Sequence, residues 1–135
     1  MYLLDSSVWV SLFLDCDLLH ERAVEVFSQI NSKIYIPYCV VVEVATVLTY
    51  KHSKNQANNF LEYVENNNDI VLFENQIFSE IDFFKKIDSK ISFTDASLIF
   101  LANKMNLRFI TFDKQIIQIL KRNKQKKSRS ANLSA

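Results

Sequence analysis

The chain has no glycine and only one proline among its 135 residues. Its turns must therefore be built by asparagine, aspartate, serine and lysine, and the glycine-rich loops of P-loop and dinucleotide-binding proteins are excluded. Apolar runs long enough to cross a bilayer are also lacking, and Asp5 interrupts the start of the chain where a signal peptide would need its apolar segment. We therefore expect a cytoplasmic protein without a membrane anchor.

Cysteine and histidine are scarce, with two residues of each type. Cys16 and Cys39 have no metal-ligand spacing, so we expect buried, reduced thiols, and no His-Glu-x-x-His motif is present. A zinc site is therefore disfavoured. The chain is 49% hydrophobic, which suits one domain with a substantial core.

The net charge of +1 hides an asymmetry along the chain. Residues 121–135 hold six of the 16 basic residues and none of the 15 acidic ones, so the first 120 residues carry a net charge of −5. An acidic body with a basic tail is compatible with a cation site and a polyanionic partner, although such a tail can also serve only solubility.

Strand-like apolar runs alternate with helical stripes. The predicted strands cover 2–4, 33–36, 70–73 and 108–112, and the predicted helices cover 6–13, with Ser6 as N-cap, 20–30, 38–51, 55–66, 76–87, 94–105 and 114 to about 124. This alternation predicts an α/β fold with a parallel sheet covered on both faces. In such sheets, ligands bind beyond the carboxyl ends of the strands.

Four acidic residues, Asp5, Glu43, Asp95 and Asp113, interrupt, open or directly follow apolar runs. A carboxylate beside the core is costly unless it is compensated. Two carboxylates about 4 Å apart repel by about 4 kcal/mol at an effective dielectric constant near 20. Because their contexts are alike, we expect the four residues to share one site built around a cation.

Glu43 is the most informative of these acids. It falls on a predicted core-facing stripe with Val40, Val44 and Val47, and the nearest basic side chains begin at Lys51, about two turns away. A glutamate on such a stripe must be paired, protonated or bound to metal.

The other three acids have structural alternatives. Asp95 can be favoured in the first turn of its helix, while Asp5 and Asp113 can each cap the helix that follows. Glu43 has no capping role, so capping does not explain the whole set. All-oxygen donors favour Mg²⁺ or Mn²⁺, and such sites suit phosphoryl chemistry.

The segments that carry the acids resemble PIN-domain ribonucleases, and they are most similar to the VapC-type toxins of toxin–antitoxin pairs. The matching segments are Leu-Leu-Asp-Ser-Ser-Val-Trp-Val (3–10), Val-Val-Glu-Val-Ala-Thr-Val-Leu (41–48), Ser-Phe-Thr-Asp-Ala-Ser-Leu (92–98) and Phe-Ile-Thr-Phe-Asp-Lys (109–114). Each segment alone is weak, but their order and spacing together are specific. A glycine common before the last strand of this family is absent, and Asn106 can adopt the left-handed turn in its place.

The resemblance implies a three-layer α/β/α fold with a parallel sheet of four to five strands over residues 1–120. The change in composition near Lys121 predicts a basic, flexible tail over 121–135. It implies that Asp5 and Asp95 are the main ligands of one or two Mg²⁺ or Mn²⁺ ions. Glu43 would hold metal or orient water, and Asp113 would complete the site. Ser6 and Thr111 would support these acids from beside them.

The implied reaction is metal-dependent hydrolysis of RNA by a toxin that forms homodimers and is silenced by a small antitoxin. Candidate RNA contacts are the basic tail, Lys51, Lys54 and Lys114. Three alternatives remain open at this point: a housekeeping RNA-processing nuclease, a non-catalytic RNA-binding module, and a phosphatase that acts on small phosphomonoesters.

Overall fold

The structure is a computed structural model that describes the backbone of residues 1–134, and the side chains of these residues except 127 and 130–134. The described residues form four strands and seven helices. In chain order these are β1 (Tyr2–Leu4), α1 (Ser6–Phe13), α2 (His20–Ser28), β2 (Ile34–Pro37), α3 (Tyr38–Lys51), α4 (Lys54–Asn66), β3 (Ile70–Phe73), α5 (Ile77–Lys86), α6 (Phe93–Lys104), β4 (Arg108–Ile110) and α7 (Lys114–Ser134).

The strands form one parallel sheet in the order β3-β2-β1-β4. The chain moves outward from β1 to β2 and β3, and then returns across the sheet to β4. With right-handed crossovers, α1 to α4 cover one face, while α5 and α6 cover the other. This three-layer arrangement confirms the predicted fold class. It also places a switch point between β1 and β4, where ligand sites form in open α/β sheets.

The indole of Trp9 is fully buried and centres an aromatic cluster that holds α1 against its neighbours. Its ring lies edge-on to Phe60, with 5.7 Å between the centroids, and 6.2 Å from the centroid of Tyr63. Both partners belong to α4, and Phe27 of α2 lies 6.3 Å away. Such pairs each add about 0.5–1.5 kcal/mol beyond burial of their area. The cluster therefore fixes α1, whose first turn follows Asp5 directly.

Several predicted bounds differ from the structure by one or two residues, and three differences have a clear structural setting. Asp5 rather than Ser6 caps α1, because its side chain accepts a hydrogen bond from the Ser6 amide. Strand β4 ends at Ile110, and the hydroxyl of Thr111, the next residue, donates a hydrogen bond to Asp5.

Helix α7 continues to Ser134 instead of ending near 124. Its lysine, arginine and glutamine residues are good helix formers, and neither proline nor glycine interrupts them. The predicted flexible tail, 121–135, is thus helical through 134, and its last residue lies outside the described range. Its flexibility stays a prediction.

Asn106 has a φ of 53°, in the left-handed region where glycine is usual, as expected for the turn before β4. The amide of Leu107 donates to the carbonyl of Ala102 at 2.9 Å, which closes the end of α6 with a Schellman-type bond. The asparagine thus replaces the missing glycine, at a cost of about 1 kcal/mol. In the described part of the chain, every helix is too short or too polar to traverse a membrane.

Candidate active site

The four acids predicted to share a site line one pocket of about 420 Å³ at the carboxyl ends of β1 and β4. Asp5 follows β1 directly, Glu43 lies in the second turn of α3, Asp95 lies in the first turn of α6, and Asp113 precedes α7. Four segments far apart in sequence therefore meet at the switch point of the sheet. Their catalytic and metal-binding roles stay predictions.

Asp5 is the most constrained acid in the pocket, with 5% of its surface exposed. Its Oδ1 atom accepts a hydrogen bond of 2.7 Å from the backbone amide of Ser6. Its Oδ2 atom accepts bonds of 2.9 Å from the hydroxyls of Ser7 and Thr111. Three donors therefore hold the carboxylate in one orientation, and they compensate for its burial.

Glu43 is exposed, so the expectation that it faces the core was wrong. The buried stripe of α3 consists of Val40, Val44 and Leu48, and Glu43 lies about 100° around the helix from Val44. It faces the pocket instead, where its Oε2 atom accepts a 2.7 Å hydrogen bond from the Ser6 hydroxyl. Ser6 thus links Glu43 to the Asp5 turn, and its supporting role stays a prediction.

The position of Asp95 in the pocket raises the pKa of its carboxyl group. Burial raises its pKa from 3.8 to about 6, and the negative charges of Asp5, Asp113 and Glu43 add to this effect, while a hydrogen bond with Ser92 opposes it. The hydroxyl of Ser92 also caps α6 by accepting a 3.0 Å bond from the Asp95 amide. The pocket therefore favours a proton or a cation on this carboxylate.

Asp113 is exposed and caps α7, because its Oδ1 atom accepts hydrogen bonds from the amides of Gln115 at 2.8 Å and Ile116 at 3.4 Å. The Thr111 hydroxyl accepts a 3.0 Å bond from the Asp113 amide while donating to Asp5. The capping alternatives for Asp5 and Asp113 are therefore realised, and both residues nevertheless line the pocket.

Sequence reasoning missed Ser7, Ser92 and Asp17, which also line the pocket. Asp17 accepts a 3.0 Å bond from the Ser11 hydroxyl and a 2.9 Å bond from the Leu19 amide. It lies in an irregular stretch between two helices, without the apolar run that drew attention to the other acids. Only knowledge of how α1 and α2 pack could have identified it.

Among the candidate RNA-contacting lysines, Lys51 lines the acidic pocket from the last turn of α3. Lys54 and Lys114 are exposed, at the starts of α4 and α7. Lys51 lies eight residues after Glu43, and is therefore about 12 Å further along the helix. This separation is too long for a local ion pair between Lys51 and Glu43 along the helix.

The donor chemistry of the pocket fits a hard divalent cation, since its charged donors are carboxylates and its neutral ones are hydroxyls. In the described residues, however, no three histidine, cysteine or acidic side chains are already grouped closely enough to hold an ion. Asp5 is held by three donors, while Glu43 and Asp113 are exposed and each accept hydrogen bonds from neighbouring residues. The pocket thus contains oxygen atoms of suitable chemistry, which would have to converge to hold an ion.

A second polar cluster, which was not predicted from the sequence, lies at the N-terminal end of α3. Glu80 is 1% exposed, and its Oε1 atom accepts a 2.8 Å bond from the Asn75 amide group, while its Oε2 atom has no partner among the described residues. The Asn75 Oδ1 atom accepts a 3.0 Å bond from the Cys39 backbone, and so caps a helix whose N-cap, Pro37, offers no side-chain bond. This chain of bonds fixes the start of the helix that carries Glu43.

The two cysteines differ in their surroundings. Cys39 is half-buried, and burial raises the pKa of its thiol. Cys16 is exposed, so the expectation that both thiols are buried was wrong for this residue. It lies in the same loop as Asp17, where the chain turns between α1 and α2 without a core to pack against.

Comparison with known proteins agrees with this architecture. The family model of the PIN domain matches residues 2–121. The VapC20 toxin of Mycobacterium tuberculosis, described as cleaving the sarcin–ricin loop, superposes with a TM-score of 0.80 at 17% identity, over 88% of this chain and 95% of that one. A toxin–antitoxin complex from Klebsiella pneumoniae gives 0.62 at 15% identity, over 84% and 87%. No curated protein sequence matches significantly. On the extent of the family match, the chain belongs to the PIN domain family.

Proposed function

We propose that this PIN domain is a metal-dependent endoribonuclease and the toxin of a toxin–antitoxin pair. The observation that carries the proposal is the meeting of Asp5, Glu43, Asp95 and Asp113 in one pocket at the switch point of the sheet. The likeness of the fold to a toxin described as cleaving the sarcin–ricin loop supports it. Residues 1–120 would form the nuclease domain, and 121–135 would be an appended basic segment.

Asp5 and Asp95 would be the main ligands of one or two Mg²⁺ or Mn²⁺ ions, and Glu43 and Asp113 would complete the site. When bound, such an ion polarises a phosphate oxygen and lowers the pKa of water. Asp5 supplies a pre-oriented carboxylate, because three donors already hold it. Asp95 has to give up any proton it holds, and its raised pKa makes this release dependent on pH.

The remaining residues of the pocket position these acids and the substrate. The bond from Ser6 holds the Oε2 atom of Glu43 and leaves its Oε1 atom to accept a proton from an attacking water. Thr111 ties Asp5 to the Asp113 turn through its two hydrogen bonds. Lys51 faces the pocket and would bind a phosphate of the RNA, with Lys54 and Lys114 as further contacts.

A toxin of this kind implies partners beyond its RNA substrate. We propose that a small antitoxin covers the pocket, that the chain forms homodimers, and that it acts in the cytoplasm, where its RNA target is found. Co-purification with the product of a neighbouring small gene would test the first point, and light scattering of the purified chain would test the second.

The proposal is tested by incubating the purified chain with total cellular RNA in Mg²⁺ or Mn²⁺, and in EDTA. Asp5→Asn should abolish cleavage, because the amide lacks the charge that binds the ion. Asp15→Asn is the matched control, since Asp15 is exposed and does not line the pocket. Discrete fragments that need both metal and Asp5 are expected. The absence of fragments from folded, antitoxin-free protein across several RNA pools would overturn the proposal.

A non-catalytic RNA-binding module is the second candidate, because the acids are not grouped around an ion as they stand. It predicts that RNA binding survives Asp5→Asn and that no metal-dependent cleavage occurs. Turnover of small phosphomonoesters without RNA cleavage would instead indicate a phosphatase. RNA cleavage without growth arrest on expression would indicate a housekeeping nuclease.

A further inference from the structure

Two cavities lie along β4, one of the two edge strands of the sheet. One, of about 300 Å³, begins at Thr111 beside the acidic pocket, and the other, of about 530 Å³, reaches the start of β4. Both are lined by Phe109, Ile110, Leu120 and Lys124, so they adjoin each other along the strand. We call the two cavities together the β4 groove, and define its polar and aromatic lining by Tyr2, Arg108, Phe109, Thr111, Lys121 and Lys124.

The charge of the β4 groove is opposite to that of the domain around it. Its lining contains three cations, Arg108, Lys121 and Lys124, and no acidic residue among those described. All three cations are exposed. Because the first 120 residues carry a net charge of −5, this local excess of positive charge makes the groove the complement of a polyanion that approaches the acidic pocket.

The groove also offers aromatic and planar faces. Tyr2 and Phe109 are partly exposed. The guanidinium of Arg108 lies over the Tyr2 ring, 5.9 Å from its centroid, and donates a 3.3 Å bond to the Tyr2 hydroxyl. Cations that follow a backbone, together with flat faces on which bases stack, are the combination that binds single-stranded nucleic acid.

The position of the groove relates it to the catalytic pocket. Thr111 lines the groove and donates to Asp5, so the two sites share a wall. From Thr111 to Arg108 the chain covers about 10 Å. Lys121 and Lys124 lie on the face of α7 that lines the groove, whereas Arg122 and Lys126 line a separate cavity together with Asp88. Like charges spaced three or four residues apart destabilise a helix by about 0.2–0.5 kcal/mol per pair, and bound phosphates would relieve this cost.

We propose that the β4 groove holds the single-stranded RNA that flanks the scissile phosphate, so that Arg108, Lys121 and Lys124 bind successive phosphates. This inference rests on the proposed nuclease function and adds a substrate path to it. The rival occupant is a peptide strand that adds to the edge of β4. The strand is only three residues long, however, and so offers a short template for backbone pairing.

The test measures binding of a fluorescein-labelled, single-stranded 12-nucleotide RNA by anisotropy between 50 and 200 mM salt, in EDTA so that metal-dependent cleavage is absent. The groove variant combines Arg108→Gln, Lys121→Gln and Lys124→Gln. Each phosphate contact on a single strand contributes about 0.7 to the slope of log affinity against log salt concentration. The slope for the groove variant should therefore be smaller in magnitude by about 2. The ratio of wild-type to variant affinity should fall about 16-fold between 50 and 200 mM salt.

The control variant neutralises three exposed lysines that do not line the groove, with Lys33→Gln, Lys85→Gln and Lys90→Gln. It has the same net charge as the groove variant, and its slope should stay near that of the wild type. An unchanged slope in the groove variant, or an equal loss in the control, would overturn the groove assignment while cleavage by the wild type still stood. If the wild type neither bound nor cleaved RNA, the proposed function would itself fail.

Discussion

Replacing Asp95 by asparagine should stabilise the metal-free protein at neutral pH. The difference between an ordinary pKa of 3.8 and a folded-state value of about 6 corresponds to about 3 kcal/mol of unfavourable free energy when the carboxyl is ionised. Because this group is only half-buried, solvent screening reduces the expected gain to about 1–2 kcal/mol. Asparagine keeps the shape of the side chain and removes the repulsion from the other three acids.

The pH dependence gives this prediction a definite sign. The folded state holds the Asp95 proton more tightly than the unfolded state does, so ionisation costs stability as the pH rises from about 4 to about 6. Asp95→Asn and wild type should therefore be equally stable near pH 4, and the variant should gain its full advantage above about pH 6. For a domain of this size, that advantage is a rise of about 5 °C in the melting temperature at pH 7.

The assay is thermal unfolding in EDTA from pH 4 to pH 8, with Asp15→Asn as a control whose difference from wild type should be flat. A second series adds Mg²⁺ or Mn²⁺. An ion at 100 times its dissociation constant stabilises the folded state by about 2.7 kcal/mol, and Asp95→Asn should gain less than wild type does. A variant less stable than wild type at pH 7, or a difference that ignores pH, would refute the electrostatic account of the pocket.

Two further substitutions test the bonds that support the acids. Thr111→Val removes a hydrogen-bond donor to Asp5, and should lower the free energy of urea unfolding by about 1–3 kcal/mol and abolish most of the RNA cleavage. Thr111→Ser keeps the hydroxyl and should retain both stability and cleavage. Full cleavage by the valine variant would contradict a positioning role for Thr111. Asn75→Ala leaves buried Glu80 without its hydrogen bond and should cost about 2–3 kcal/mol, whereas Asn58→Ala, at an exposed position on α4, should cost little; equal losses would show that the cluster does not secure α3.

The fold was predictable because the spacing of the apolar residues and the positions of the polar segments between them indicate the same helices and strands. Strand runs such as 70–73 and helical stripes such as 38–51 alternate, and several boundaries shifted by one or two residues. The boundaries shifted where the hydrogen bonds of particular side chains, rather than intrinsic helix and strand propensities, determine where an element begins or ends. Thr111 leaves the β4 ladder to bond with Asp5, and Asp5 itself caps the first helix.

The site was predictable to the extent that strand ends could be located. Asp5 and Asp113 follow strands, so their meeting at one edge followed from the parallel sheet. The predicted orientation of Glu43 was wrong. Neighbouring residues of a helix point about 100° apart, and the spacing of apolar residues does not locate the edge of the buried stripe to within one residue. Asp17 and Glu80 could not be identified from the sequence for another reason, because their surroundings are created only by tertiary packing.

The contrast between the two thiols makes the chain suitable for site-specific spectroscopy. Cys16 is exposed, whereas burial and a raised pKa suppress the thiolate form of Cys39 that alkylating reagents attack. A maleimide fluorophore should therefore attach at one position without mutagenesis. That position adjoins Asp17 at the wall of the acidic pocket, so the emission of the dye would show in real time whether metal, RNA or an inhibitory peptide binds there.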